Sequence, residues 1–246
     1  TFEGLGNNDS LSATGQFMWK PDNNWVTTGR LEGRWADSSN TALGSLGVAG
    51  KINRDWSLLG RFMWSSDSRR GDYGSGNHTQ TRLALGAAYR DTERSRVSGL
   101  MRYELRADRN SDELTPTSRL NHILSGNVNW RVADKTVLMG RYAAKFGTDK
   151  HDGLRTSTSG QLLSARVLHD LSKRWDLGLT TSYRFGGGES GFAAGAEVGY
   201  QLGGGLWVSG GWNYSSYRDN DLTGLGYTDN GPYIRLRYKF DEGLLR

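Results

Sequence analysis

Residues 175–185, WDLGLTTSYRF, change between apolar and polar side chains at almost every position. The apolar side is formed by Trp175, Leu177, Leu179, Thr181, Tyr183 and Phe185, and the other side by Asp176, Thr180, Ser182 and Arg184. Successive side chains of a β-strand point to opposite faces of its sheet. The stretch therefore predicts a strand with one apolar face and one charged face.

Two further stretches repeat this alternation. In the first, Trp56, Leu58, Gly60, Phe62 and Trp64 oppose Ser57, Arg61 and Ser65. In the second, Val97, Gly99, Met101, Tyr103 and Leu105 oppose Arg96, Ser98, Arg102, Glu104 and Arg106. The recurrence predicts a sheet of many similar strands.

Composition limits the class of protein. The 246 residues suffice for one large all-β domain, although length alone also permits two small ones. Only 35% of the residues are hydrophobic, and no stretch approaches the roughly 18 apolar residues of a membrane helix. A transmembrane β-barrel remains possible because only alternate residues of its strands face lipid. The 3 prolines, 9 tryptophans and 11 tyrosines also favour paired strands with aromatic interfaces.

Turn-forming residues divide the chain into hairpins. Short turns are predicted at 21–24, 53–55, 91–94, 133–135, 172–174 and 203–205, and long loops at 37–40, 67–78, 108–117, 148–157, 186–191 and 218–231. Short turns on one side and long loops on the other are typical of outer-membrane barrels. We therefore predict an antiparallel up-and-down transmembrane β-barrel with short periplasmic turns and long extracellular loops.

Aromatic residues cluster at the expected strand ends. One group flanks the short turns and consists of Trp19, Trp25, Trp56, Tyr89, Trp130 and Trp175. The other lies about one strand length away and consists of Trp35, Trp64, Tyr103, Tyr142, Tyr183 and Trp212. Two aromatic belts are expected of a barrel wall in a bilayer. The alternative is a soluble β-sandwich with these aromatics in its core.

The pattern contains thirteen strands, from near Leu11 to Phe240. Single-chain bacterial barrels have even strand numbers, so we expect about fourteen strands, within a range of 12–14. A further strand upstream of Thr1 would make this chain the C-terminal part of a longer protein; a miscounted strand is the other explanation. Residues 1–246 are expected to form a single barrel domain, with 241–246 as a short periplasmic tail.

The C-terminal segment alternates Ile234, Leu236, Tyr238 and Phe240 against basic residues and Tyr233. It resembles the terminal strand signal of outer-membrane proteins, which the barrel-assembly machinery reads, except that six residues follow the aromatic. The hairpins of roughly the last hundred residues also resemble the C-terminal barrels of large proteobacterial surface proteins. This resemblance implies a class of barrel and a place in the outer membrane, but it assigns no functional residues.

The polar faces carry an excess of basic residues. The arginines expected to line a pore are Arg30, Arg34, Arg61, Arg82, Arg96, Arg102, Arg106, Arg131, Arg141, Arg166, Arg184, Arg235 and Arg237, accompanied by Lys145 and Lys239. The acids on the same faces are Glu32, Glu104, Asp170, Asp176 and Glu197. Unpaired arginines in a water-filled lumen would favour anions. Alternatively, arginine only fills the interior and pairs with acids, or an acidic plug neutralises it.

Catalytic and metal-binding candidates are weak. His122 with Ser125, and His169 with Asp170, fall on opposite faces of a strand. His78 and His151 are expected in loops near Asp72 and Asp152, and Asp219 with Asp221 could activate water or bind calcium. Such residues are commonly turn formers, so we expect neither an enzyme nor a cofactor. The isoelectric point near 9.4 does not require nucleic-acid binding if the basic residues lie inside a barrel.

Two functions remain open. The first is a passive outer-membrane pore of a Gram-negative bacterium with an arginine-lined lumen that prefers small anionic solutes; Arg96, Arg102, Arg141, Arg166 and Arg184 are the leading pore-lining residues. The second is the anchor or export conduit of a larger surface protein, with a plugged lumen. Either would contact outer-membrane lipid and lipopolysaccharide, and the barrel-assembly machinery during biogenesis.

The alternation predicts opposite tolerance to charge at adjacent positions. Leu179→Arg on the lipid face should impair assembly far more than Thr180→Arg on the polar face, since arginine on the lipid face costs roughly 2–4 kcal/mol at the bilayer midplane. The yield of folded, heat-modifiable protein measures the difference. Equal yields would contradict the assignment of the two faces.

Overall fold

The structure is a computed structural model that describes residues 10–70, 75–111, 116–203, 205–215 and 230–238. These residues form thirteen β-strands: β1 (Ser10–Trp19), β2 (Trp25–Ala36), β3 (Ser39–Lys51), β4 (Trp56–Arg69), β5 (Gly76–Arg90), β6 (Val97–Asn110), β7 (Thr117–Ala133), β8 (Thr136–His151), β9 (Leu154–Asp170), β10 (Trp175–Gly186), β11 (Glu189–Gly203), β12 (Leu206–Ser215) and β13 (Gly231–Tyr238). The predicted number of strands in the chain is confirmed for this part of it.

The strands form one sheet in chain order, from β1 to β13. Neighbours pair antiparallel, as in the register of β1 with β2 and of β10 with β11. No helix in the described part of the chain has the length and apolar character needed to cross a membrane. The predicted all-β, antiparallel, up-and-down architecture is confirmed.

Close contacts divide the chain into two compact units, which are described separately below. Unit 1 comprises residues 1–88, 102–124 and 146–158, and unit 2 comprises 89–101, 125–145 and 159–246, of which only the described residues are considered. Strands β5 to β9 contribute residues to both units.

Three of the six predicted long loops are wrong. Strands continue into the regions 37–40, 148–157 and 186–191 until only two residues connect them. The regions 67–78 and 108–117 are strand only at their ends, at 67–69, 76–78, 108–110 and 117, and residues 71–74 and 112–115 lie outside the described residues. The polar Ser, Thr and Asn residues there can lie in strands, because pairing with a neighbouring strand satisfies the hydrogen bonds of their backbone N–H and C=O groups. The region 218–230 lies outside the described residues except for Asn230.

This extension makes the strands longer than a membrane requires. β7 and β9 each have 17 residues and β8 has 16, whereas about 9–11 residues cross a bilayer. Each of these strands therefore has room for a membrane-crossing part and a polar part beyond it.

Three of the six short turns share one arrangement. A side-chain oxygen accepts hydrogen bonds from the backbone N–H groups two and three residues later, and the later donor is the tryptophan that begins the next strand. The acceptor–tryptophan pairs are Asp22 with Trp25 (2.9 Å), Asn53 with Trp56 (2.9 Å) and Ser172 with Trp175 (3.2 Å). The acceptor satisfies donors that the strands leave unpaired at the turn.

One face of the strands exposes large apolar side chains. On this apolar face lie Leu31, Trp35, Phe62, Trp64, Phe146, Leu163, Leu179, Tyr183, Trp212, Ile234 and Leu236, all exposed. In unit 1, aromatic rings on this face cover glycines of the neighbouring strand: Phe17 lies over Gly29, and Trp25 over Gly50. Such an apolar surface predicts an apolar surrounding.

The connection 91–96 between β5 and β6 carries a carboxylate with several backbone donors. Asp91 accepts hydrogen bonds from the N–H groups of Glu93 (3.2 Å), Arg94 (2.9 Å) and Arg96 (3.3 Å). Within this turn Ser95 has a φ of 51°, in the left-handed region. The hydrogen bond from the Arg94 backbone, opposed by desolvation and reinforced by the other two, lowers the pKa of Asp91.

A lowered folded-state pKa predicts a stabilisation by the Asp91 carboxylate that is present above its unfolded pKa of about 3.9 and lost as the pH falls through the folded value. Asp91→Asn should therefore lower the urea midpoint of unfolding at pH 7 more than at pH 3. Glu93→Gln is the control, because it removes a charge from the same turn but keeps the Asp91 carboxylate that accepts the hydrogen bonds. An equal effect of Asp91→Asn at both pH values would contradict this role.

Candidate functional site

The structure places the predicted pore-lining arginines on the polar face, with one exception. Strands carry Arg30 and Arg34 (β2), Arg61 (β4), Arg82 (β5), Arg102 and Arg106 (β6), Arg131 (β7), Arg141 (β8), Arg166 (β9), Arg184 (β10), and Arg235 and Arg237 (β13). The prediction that Arg96 lies in a strand is wrong: it ends the turn before β6, where its N–H is bonded to Asp91. Lys239 lies outside the described residues.

In unit 1, arginines bracket acids on the same strand. Glu104, 7% exposed, binds Arg102 Nη2 at 2.7 Å and Arg106 Nε at 2.6 Å. Both partners stand two residues away, because residues i and i+2 share a face. Arg30 binds Glu32 in the same way at 2.6 Å, but this pair is exposed.

In unit 2, one buried carboxylate binds residues from two other strands. Glu197 of β11 is 4% exposed. Its Oε1 binds Nη2 of Arg166 from β9, and its Oε2 accepts a hydrogen bond from the Tyr233 hydroxyl (2.9 Å) and lies 3.6 Å from Nη1 of Arg235, both from β13. Arg235 also lies over the Tyr233 ring, 5.4 Å from its centroid.

Glycines make this reach possible. Gly178 and Gly211 stand directly opposite Glu197 on the two neighbouring strands. A Cβ on Gly178 would meet Glu197 Cγ at 2.7 Å, and one on Gly211 would meet the Tyr233 hydroxyl at 2.7 Å. The absent side chains leave space through which partners from β9 and β13 cross a whole strand to reach the carboxylate.

A second acid in unit 2 repeats the arrangement. Asp176 of β10, 3% exposed, lies opposite Gly199, where a Cβ would overlap Asp176 Oδ1. Arg237 Nη2 approaches Asp176 Oδ2 at 3.4 Å from β13. Among the described residues, Asp176 Oδ1 and the fully buried Ser209 Oγ have no hydrogen-bond partner.

A cavity of about 770 Å³ lies in unit 2 beside Glu197. The charged residues that line it are Arg141, Arg166, Glu197 and Arg235. Neutral polar residues include Asn127, Asn129, Ser164, Thr180, Ser182, Asn213 and Tyr233. Sequence analysis missed the asparagines, Tyr233 and the glycines; glycines in register with the acids are the signal that could have indicated them.

Among the described residues, the weak catalytic candidates do not come together into a site. His78 lies in β5 rather than in a loop, and its Nε2 is 3.2 Å from the carboxylate of Asp108. His151 ends β8, 3.4 Å from Asp152. His122 contacts the Tyr103 hydroxyl at 2.8 Å, and His169 contacts Thr136. The described residues contain no group of three or more His, Asp or Glu arranged for a metal ion.

Several other predicted positions can be placed, and some cannot. Ile234, Leu236 and Tyr238 lie on the apolar side of β13 and are exposed. Phe240, Asp72, Asp219 and Asp221 lie outside the described residues. Asp170 ends β9 and is exposed.

The chain matches no protein-family model, and no curated protein matches it. Its fold is similar to solved outer-membrane structures. The siderophore receptor PirA from Pseudomonas aeruginosa superposes with a TM-score of 0.68 at 11% identity, over 83% of this chain and 39% of that one. The alcaligin outer-membrane receptor FauA from Bordetella pertussis gives 0.58 at 8%, over 88% and 44%.

A mutant of the ferric enterobactin receptor PfeA from Pseudomonas aeruginosa gives 0.61 at 9% identity, over 85% of this chain and 42% of that one. The chain thus spans less than half the length of these receptors. At such identities the likeness concerns the fold alone, and that fold is the outer-membrane β-barrel type.

The buried acids should differ strongly from the exposed one. Glu197→Gln leaves Arg166 and Arg235 without their counter-charge, so we expect a loss of about 3 kcal/mol in the free energy of unfolding. Glu32→Gln removes the acid of an exposed pair and should cost about 0–1 kcal/mol. Urea unfolding of the refolded variants measures both losses. Equal losses would contradict the role of Glu197 as the centre of the cluster.

Proposed function

We propose that this chain forms a passive pore in the outer membrane of a Gram-negative bacterium, with an arginine-lined lumen that prefers anions. The observation that supports this most is the separation of the two faces. The large apolar side chains named above are exposed on one face, whereas the predicted pore-lining arginines of the strands and the buried acids lie on the other.

The apolar face fits lipid. Exposed side chains such as Phe62, Leu179 and Leu236 would be unfavourable in water over so large a surface. Charges on the polar face cannot face hydrocarbon cheaply. If the sheet closes as a barrel, that face becomes the wall of the lumen.

The charge balance of the polar face favours anions. Glu104 and Glu197 each contact two arginines, so each cluster keeps a net positive charge. Within the described ranges, Arg34, Arg61 and Arg131 form no ion pair at all. A positive wall raises the local concentration of anions and selects them over cations.

The proposed partners follow from this location. The apolar face would contact outer-membrane lipid and lipopolysaccharide, and β13 would be read by the barrel-assembly machinery through Ile234, Leu236 and Tyr238. The basic residues are proposed to interact with solutes in the lumen, so no nucleic acid is proposed as a partner. No catalytic role is proposed.

A second candidate function is the anchor or export conduit of a larger surface protein, resembling the C-terminal barrels of proteobacterial surface proteins. It is favoured by the odd number of strands in the described part of the chain, thirteen. An antiparallel sheet closes on itself only with an even number. A strand from elsewhere in such a protein would complete the barrel, and another of its segments would fill the lumen.

Conductance in a planar bilayer under a KCl gradient tests the pore. We expect steady single-channel currents with a reversal potential displaced toward that of chloride. A folded, heat-modifiable barrel without current would contradict the pore and favour the plugged anchor.

Matched variants test whether the wall arginines cause the selectivity. Replacing Arg34 and Arg61 together by glutamine should roughly halve the chloride-to-potassium permeability ratio, because two positive charges leave the wall. Lys173→Gln, in the connection 171–174 outside the strands, removes a charge away from the wall and should leave the ratio unchanged. An unchanged ratio in the double variant would contradict selection by these arginines.

A further inference from the structure

The cavity of unit 2 combines charge, hydrogen-bonding groups and an apolar wall. Its volume of about 770 Å³ lies within the range of small-molecule sites, roughly 300–1,000 Å³. It is lined from strands β7 to β13, so its walls are strand residues held by a hydrogen-bonded sheet rather than loop residues. A rigid wall of this kind positions ligand contacts well.

The charge of the lining is positive. The lining contains three guanidinium groups, those of Arg141, Arg166 and Arg235, and one carboxylate, that of Glu197. Glu197 engages one nitrogen of Arg166 and one nitrogen of Arg235. Each guanidinium has five N–H donors in a planar fork that suits a carboxylate. The cavity therefore offers further donors to an anion.

The other walls select among anions. Asn129, Ser164 and Thr180 present amide and hydroxyl groups from strands β7, β9 and β10. Met139 and Ala193, both partly exposed, form an apolar surface beside them. A ligand that suits all three features has a carboxylate, several hydroxyl groups and aliphatic C–H surface.

We propose that this cavity binds small hydroxylated carboxylates of the sugar-acid class. The inference rests on the proposed pore, of which it names the solute class, since a lumen wall is where such a solute would meet the cavity. The carboxylate is held by Arg235 and Arg166, and the hydroxyl groups by Thr180, Ser164 and Asn129. The carbon chain packs on Met139 and Ala193.

Titration calorimetry on the refolded chain tests the site without requiring an open channel. Gluconate is the probe. Glucose supplies the hydroxyl groups without the charge, and hexanoate supplies the charge without the hydroxyl groups. We expect gluconate to bind at least tenfold more tightly than either, since each lacks one set of partners. Equal binding of hexanoate and gluconate would overturn the assignment.

Two variants and a control locate the binding. Arg235→Gln keeps the bonds of Glu197 to Arg166 and Tyr233, so the cluster retains partners, and gluconate affinity should fall about tenfold for the lost charge-assisted bond. Thr180→Val keeps the shape and should weaken gluconate about threefold but leave hexanoate unchanged. Arg61→Gln removes the same charge from unit 1, outside the cavity, and should leave gluconate affinity unchanged.

The outcomes separate this inference from the pore. Binding of gluconate by a barrel that carries no current would support the site and contradict the pore. Anion-selective current without gluconate binding would support the pore and overturn the site. Equal losses of affinity in Arg235→Gln and Arg61→Gln would mean that general positive charge attracts the ligand, which also overturns the site.

Discussion

Everything in this structure depends on keeping charge on one face of the strands. Strand geometry sends alternate side chains to opposite sides, so a chain that exposes Leu179 on one side must place Asp176 and Arg184 on the other. Once the charges share a face they lie close to one another across neighbouring strands. The burial of Glu197 follows, because only the guanidinium groups and the hydroxyl around it make a nearly inaccessible carboxylate tolerable.

The part of the fold that local chemistry decides was predictable. Strand number and face assignment follow from the alternation, and the short turns follow from acceptors such as Asp22 placed three residues before a tryptophan. The loop lengths were not predictable in this way. Serine and threonine between 154 and 159 suit a polar strand as well as a loop, and pairing with a neighbour decides between the two.

The candidate site was predictable in its charges but not in its geometry. The arginines could be placed on a face from sequence alone, whereas their partners depend on register. Tyr233 and Glu197 are 36 residues apart in sequence. They meet because β12 alone separates β11 from β13, and Gly211 of β12 leaves room between them. Arg96 shows the opposite case: its parity matched the strand, yet β6 begins one residue later and the Arg96 N–H is bonded to Asp91.

The glycines opposite the acids also restrict the register in which β10 and β11 can pair. In the native register Asp176 faces Gly199 and Gly178 faces Glu197. A slip of two residues would leave every side chain on its own face, so hydrophobicity would not oppose it. Slipping one way sets Asp176 against Glu197, two like charges in direct opposition, and slipping the other way sets Glu197 against Thr180, where a side chain fills the space that glycine leaves. The alternating acids and glycines thus specify the register of the hairpin, because only the native alignment places each acid opposite a glycine while the sheet assembles.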